Sequence, residues 1–223
     1  RSLQLTPEGR VVVGGAFSGI DAFALPGIAR LEANGAVDLT FSAGTRPDGE
    51  VSAVWLQSDG KMAIGGAFQN VSSPIVSSLN RGRVARLNAN GTIDTTMNLS
   101  AGENGEVLAL TVQQKDRKIV VAGTFTSPSR GVARLNVNGS LDVSFDPQTA
   151  ADRTVRALAL QSDDKILIGG DFTSFSGVAR GSFARLARNG LLDIDFATGP
   201  RAGGSVYAIV VQPDGRILMA GDL

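Results

Sequence analysis

The sequence predicts an all-β chain folded as a β-propeller of four-stranded antiparallel blades. Three observations carry this reading. A glycine-rich element recurs five times, an arginine-bearing element alternates with it in four copies, and no stretch holds an apolar period of 3.6. Glycine supplies 28 of the 223 residues, nearly twice the ordinary share of ~7 %.

The glycine-rich element reads VSAVWLQSDGKMAIGGAF at 51–68, VLALTVQQKDRKIVVAGTF at 107–125 and VRALALQSDDKILIGGDF at 155–172. LQLTPEGRVVVGGAF (3–17) and VYAIVVQPDGRILMAGDL (206–223) are its first and last copies. Its opening seven or so positions, β-branched and apolar, predict a first strand. A short acidic turn follows, as at Ser58-Asp59-Gly60, and sets Leu56 opposite Met62. The second strand is almost continuously apolar, which predicts burial on both faces. The glycine pair that ends it lets neighbouring sheets approach closely. Phe17, Phe68, Phe125 and Phe172 come just after and are expected to fill the space between blades.

The second element reads ARLEANGAVDLTF (29–41), ARLNANGTIDTTM (85–97), ARLNVNGSLDVSF (133–145) and ARLARNGLLDIDF (184–196). It predicts a third and a fourth strand around an Asn-Gly turn. A two-residue turn would set Leu87 against Asp94. A three-residue turn with left-handed glycine pairs Asn88 with Thr92, Leu87 with Ile93 and Arg86 with Asp94. The second register matches apolar with apolar and cation with anion. It does so in every copy: Arg30 with Asp38, Arg134 with Asp142, Arg185 with Asp193. The repeated pair is expected to be a cross-strand brace.

The repeats divide one domain, 1–223, into units at about 1–50, 51–106, 107–154 and 155–205, with a partial unit at 206–223. Leu223 aligns with the blade phenylalanine, so further strands outside this chain are expected to complete a longer ring. The rival architecture, a β-solenoid, usually has shorter coils without two tight hairpins per repeat.

The patterns LQxDGKILxGGxF and ARLNxNGxLDxSF resemble the delta-60 repeat of bacterial proteins, a β-propeller repeat of unknown function. The likeness covers essentially the whole chain. Departures are Lys115-Asp116-Arg117 at one turn, Ala122 for a glycine and Met97 for a phenylalanine. The resemblance implies a large secreted or cell-surface protein and carries no activity.

Composition excludes several functions. Lysine plus arginine and aspartate plus glutamate both total 21, with no basic stripe for nucleic acid. No apolar run reaches the ~18–20 residues of a membrane-spanning helix, so no membrane insertion is expected. Cysteine and histidine are absent, which removes thiol nucleophiles and the usual zinc and copper ligands. No cofactor, metal or catalytic residue is expected. Ser58-Asp59-Gly60-Lys61 and Ser162-Asp163-Asp164-Lys165 match the S-x-x-K pattern of serine acylases but fall on hairpins, where that chemistry has no helix to use. The acidic turns lack the dense oxygen ligands of a calcium loop. Asp193 and Asp195 are expected to alternate along a solvated strand. The sequons at Asn70, Asn90, Asn98 and Asn138 are explained in part by Asn-Gly turns, and Trp55 and Tyr207 are expected in the core.

Function is therefore expected in the connections. Both short turns fall on one face of an up-and-down blade, and both long connections on the other. The connections after the fourth strand (42–50, 98–106, 146–154, 197–205) have equal length and suit a structural job. Those after the second strand (18–27, 69–83, 126–131, 173–182) vary and form the candidate binding face. Phe23, Leu25, Ile75, Val76 and Phe175 are its candidate anchors for a protein or glycan. The expected role is a non-catalytic binding or scaffolding module. The alternatives are a self-assembling structural subunit (adhesin, sheath or phage fibre) and, third, a propeller enzyme such as a glycosidase.

Overall fold

A computed structural model describes residues 1–41, 44–97, 104–148, 150–196 and 203–222. It is all-β, with no helix among the described residues. Blade 1 comprises β1 (Ser2–Leu5), β2 (Val11–Gly14) and β3 (Ile28–Leu31), and β4 (Arg46–Pro47) lies on the way to blade 2. Blade 2 holds β5 (Val51–Leu56) and β6 (Met62–Gly66), then an inserted hairpin, β7 (Asn70–Ser73) and β8 (Val76–Asn80), then β9 (Val84–Leu87). Blade 3 is β10 (Val107–Val112), β11 (Ile119–Gly123) and β12 (Val132–Leu135). Blade 4 is β13 (Val155–Leu160) and β14 (Ile166–Gly170), a short hairpin β15 (Ser174–Phe175) and β16 (Val178–Ala179), and β17 (Phe183–Leu186). Blade 5 has β18 (Val206–Val211) and β19 (Ile217–Gly221).

Each sheet is antiparallel in chain order, and successive sheets lie face to face. The fourth strand shrinks to a single bridge in each of blades 1–4, such as Leu87 with Ile93, after which the chain turns. The three-residue turn register holds: Asn88 N–H donates to the Thr92 carbonyl, and Asp94 N–H to the Arg86 carbonyl. Leu56 stands opposite Met62.

The continuous apolar second strands are buried on both faces because each face meets a different neighbour. Met62 and Ile64 of β6 pack with Val12 and Ile28 of blade 1, whereas Ala63 packs with Val107 and Leu110 of blade 3. β11 alternates likewise, Ile119 and Val121 toward blade 2, Val120 and Ala122 toward blade 4. The core is thus a series of slabs, one per junction. Phe68, Phe125 and Phe172 are buried in these slabs, as their place after the glycines suggests. Trp55 packs partly buried against one of them, while Tyr207 is half-exposed and donates to Asp222 at 2.6 Å, outside the core expected for it. Leu3 and Leu5 of β1, and Val210 and Leu218 of blade 5, are exposed, whereas Leu167, the counterpart of Leu218 in blade 4, is fully buried.

The glycine pair divides its work. A Cβ on Gly65 would come within 2.5 Å of Val107 in the next blade. A Cβ on Gly66 would overlap the Glu50 carbonyl beside the start of its own blade's first strand, and Gly123, Gly170 and Gly221 repeat that conflict. Only the first position tolerates alanine, as Ala122 and Ala220 demonstrate. Gly66→Ala is therefore expected to cost on the order of 3 kcal/mol, and Gly65→Ala about 1 kcal/mol, measured by urea unfolding.

Candidate functional site

The repeated charged residues form one network per junction. Asp94 accepts from Arg86 Nε at 2.8 Å and pairs with Lys61 Nζ at 2.8 Å. Its other oxygen accepts the Thr96 hydroxyl at 2.6 Å and the Thr96 N–H at 2.9 Å. The same arrangement joins Asp142 to Arg134, Lys118 and Ser144. Asp38 is held by Arg30 and Thr40, with Arg10 in place of the lysine, 3.7 Å away. Asp193 takes Arg185 and Lys165.

The guanidinium also reaches forward. Arg30 Nη1 donates to the Ala89 carbonyl in the Asn-Gly turn of blade 2 at 2.8 Å. Arg86 Nη1 does so to Val137 of blade 3 at 2.8 Å, and Arg134 Nη1 to Arg188 of blade 4 at 2.5 Å. Each of Arg30, Arg134 and Arg185 also lies 4.0–4.8 Å from the ring centre of its blade's last phenylalanine (Phe41, Phe145, Phe196). Met97 takes that place in blade 2, fully buried. The brace expected within a blade is thus also a latch between blades. The lysine, threonine and serine partners went unassigned in the sequence, although the threonine and serine recur at a fixed offset after the arginine and the lysine at a fixed offset before Phe68, Phe125 and Phe172.

These carboxyls are tuned for charge. Burial pushes the Asp38 carboxyl up, but the Thr40 hydroxyl and Arg30 outweigh it and hold it down at about 2. Asp94 and Asp142 are likewise raised by burial and lowered further by their lysine, hydroxyl and arginine partners, to a net value well below the carboxylate range. A permanently ionised, fully bonded carboxylate is poorly suited to general-acid work. The S-x-x-K lysines are taken too, Lys61 by Asp94 and Lys165 by Asp193. Asp59, Asp163 and Asp214 accept from backbone N–H groups within their own turns. Asp195 sits exposed in a turn, so it does not alternate with Asp193 along a strand as expected. The Asn90 and Asn138 amides close their own turns, Asn70 bonds Asp48, and Asn98 lies outside the described residues.

On the long-connection face the candidate anchors separate. Ile75, at the tip of the β7–β8 hairpin, is 86 % exposed, and Phe23 is exposed. Val76 beside the tip is half-buried against the slab of blades 1 and 2. The expectations for Leu25 and Phe175 are corrected: both are buried. Phe175 is fully enclosed because β15 pairs with β16 and its ring packs edge-on against Phe172, centroids 6.2 Å apart. Two of the supposed irregular connections therefore carry strands, and 69–83 joins β4 in a separate three-stranded sheet. Of the equal-length connections, 42–43, 98–103, 149 and 197–202 lie outside the described residues, as does Leu223. Their described ends do a structural job: Asp48, Asn104 and Asp152 each bond the start of the variable connection in the blade that follows.

A cavity of about 600 Å³ opens on the opposite, short-turn face, between blades 1 and 2. Thr6, Glu8, Arg10, Gln57 and Gly60 are among its lining residues. Neither element length nor hydropathy announces a cavity at this junction. Among the described residues no three acidic side chains gather as metal ligands, and no helix is long and apolar enough to cross a membrane.

A family model described as a domain of unknown function (DUF5122) beta-propeller matches residues 6–41, 57–96, 114–145 and 161–196. No curated protein matches the chain. A solved structure, described as the extracellular domain of the one-component system BT4673 from B. thetaiotaomicron, superposes with a TM-score of 0.58 at 14 % identity. The likeness covers 100 % of this chain and 26 % of that one, so the chain spans about a quarter of its length.

The network makes two predictions. Arg86→Ala breaks a buried pair and a latch and is expected to cost about 3 kcal/mol, whereas Lys61→Ala, with a third of its side chain exposed, costs about 1 kcal/mol or less; urea unfolding measures both. Because the folded carboxyls sit below their unfolded values, the unfolded chain binds more protons at low pH. Melting temperature is expected to be level above about pH 5 and to fall between about pH 4 and 2.

Proposed function

Because the chain belongs to the DUF5122 β-propeller family, a domain of unknown function, we propose that it is a non-catalytic, rigid platform of a larger extracellular protein. It binds a protein or glycan partner through the long-connection face. The carrying observation is the contrast between repeated and unrepeated parts. The repeated charges are occupied in holding blade to blade, whereas the 69–83 insertion builds a separate sheet and lifts Ile75 into solvent. An exposed apolar side chain on a rigid hairpin is a fit anchor for a partner. The extracellular setting is supported by the similar extracellular domain.

A second reading, a structural subunit of an extracellular assembly, draws on the exposed Phe23 of another long connection as a contact for a second copy.

Ile75→Asp separates the readings. The platform reading expects the variant to lose the surface proteins or glycans that the wild type captures from the cells producing it, with melting temperature unchanged. An identical captured set would overturn it. Light scattering then tests the assembly reading, which expects a stable oligomer that persists in the variant.

A further inference from the structure

The blade 1–blade 2 junction differs from the junction between blades 3 and 4 at the end of the first strand. There, Gln113 Nε2 crosses to the Asp164 carbonyl at the corner of the next blade's hairpin, 3.3 Å away. The equivalent residue in blade 1 is Thr6, as its N–H bond to the Arg10 carbonyl across the turn shows. Its hydroxyl is occupied within its own turn, accepting from Arg10 N–H at 3.2 Å. A threonine is too short to reach Gly60, the counterpart of Asp164, and the cavity opens between them.

Other departures from the repeat fall at the same place. Glu8 stands where the other hairpins carry aspartate, and Glu32 where blades 2 and 3 carry asparagine. Arg10 stands where blades 2–4 carry lysine, and donates Nε to Glu32 at 2.9 Å. Gln57 and Ser58 line the cavity from the blade 2 side.

We propose that this cavity binds a neutral polyhydroxylated small molecule, a mono- or disaccharide. Its volume, about 600 Å³, lies within the ~300–1,000 Å³ of small-molecule sites. The chemistry selects the ligand class. Arg10 and Arg30 on the wall disfavour a cation. Glu8 on the wall, with Glu32 and Asp38 already bonded to those arginines, cancels the attraction for an anion. The oxygens of Thr6, Glu8, Thr40 and Ser58 on the wall call for a hydrogen-bonding ligand, which a purely apolar one is not. Pro7, Leu56 and Ala89 supply apolar surface for C–H faces. A sugar ring offers hydroxyl donors and acceptors together with such faces and carries no charge. The site lies on the face opposite the long connections, so it stands or falls independently of the platform reading.

The full chain is tested by saturation-transfer NMR and calorimetry against glucose, galactose, mannose, maltose, cellobiose and lactose, with glucuronate and glucosamine as charged comparators. At least one neutral sugar is expected to bind with Kd on the order of 1 mM or tighter, to raise the melting temperature, and to bind equally at low and high salt. Thr6→Gln installs the residue that bridges the gap between blades 3 and 4, and is expected to weaken binding tenfold or more while the ligand-free melting temperature stays level or rises. Glu8→Ala, on an exposed turn, is expected to weaken binding several-fold without touching the core, and keeps the test decisive should Thr6→Gln misfold. The proposal is overturned if no neutral sugar binds, if only the charged comparators bind, or if binding survives both substitutions.

Discussion

The guanidinium of Arg86 bonds in two blades at once. Through Nε it holds Asp94 of its own sheet, and through Nη1 the Val137 carbonyl of the next. A three-stranded sheet of short strands cannot bury enough apolar surface alone, so each blade is stable only against neighbours. Apolar slabs supply most of the driving force, but they are non-directional and would tolerate sliding. The arginine fixes the angle and register at which slabs meet, because its planar donors must satisfy a carboxylate and a carbonyl together. The same Nη1 group also bonds the glutamine that ends the first strand of its own blade: Arg134 donates to Gln113 Oε1 at 3.0 Å and Arg185 to Gln161 Oε1 at 3.2 Å.

Ionisation of the aspartates follows from this role. A neutral carboxyl would leave a buried guanidinium and ammonium uncompensated, which is more costly than the pair is favourable. Threonine or serine two residues on supplies two further donors to Asp38, Asp94 and Asp142. Blade 4 has Asp195 there and lacks that support, and Asp193 is the most exposed of the four carboxylates.

The repeated half of the molecule was legible in the sequence because each constraint there is local and stated several times. Arg86 and Asp94 lie eight residues apart, and charge and apolarity choose their register without tertiary knowledge. The apolar second strands announced two buried faces, and the glycine pair announced close approach. What stayed hidden depends on contacts between distant segments. Phe175 resembles a surface anchor until Ala151, 24 residues earlier, is seen to bridge it. The 69–83 segment has no alternation strong enough to predict strands, and β4 comes from the preceding connection to complete its sheet. The fourth strand reads as a strand by composition, yet the aspartate turns the chain by bonding the residue two places on.

Repetition itself sorts structural from functional residues here. A side chain present in every copy answers a need present at every junction, and in a propeller that need is to join sheets. A ligand or partner has to be met by something that breaks the pattern. Two physical routes to such a break occur in this chain. Blade 2 adds atoms, an insertion that builds a sheet of its own and ends in an exposed isoleucine. Blade 1 removes them, with a threonine in place of a bridging glutamine, and gains a cavity without disturbing the latch beneath it: Arg30 still reaches Ala89 at 2.8 Å. The second route leaves no trace in length or hydropathy. A one-residue departure at a junction therefore carries as much functional information as a long variable loop, provided a counterpart in another blade is seen to span the gap, as Gln113 does.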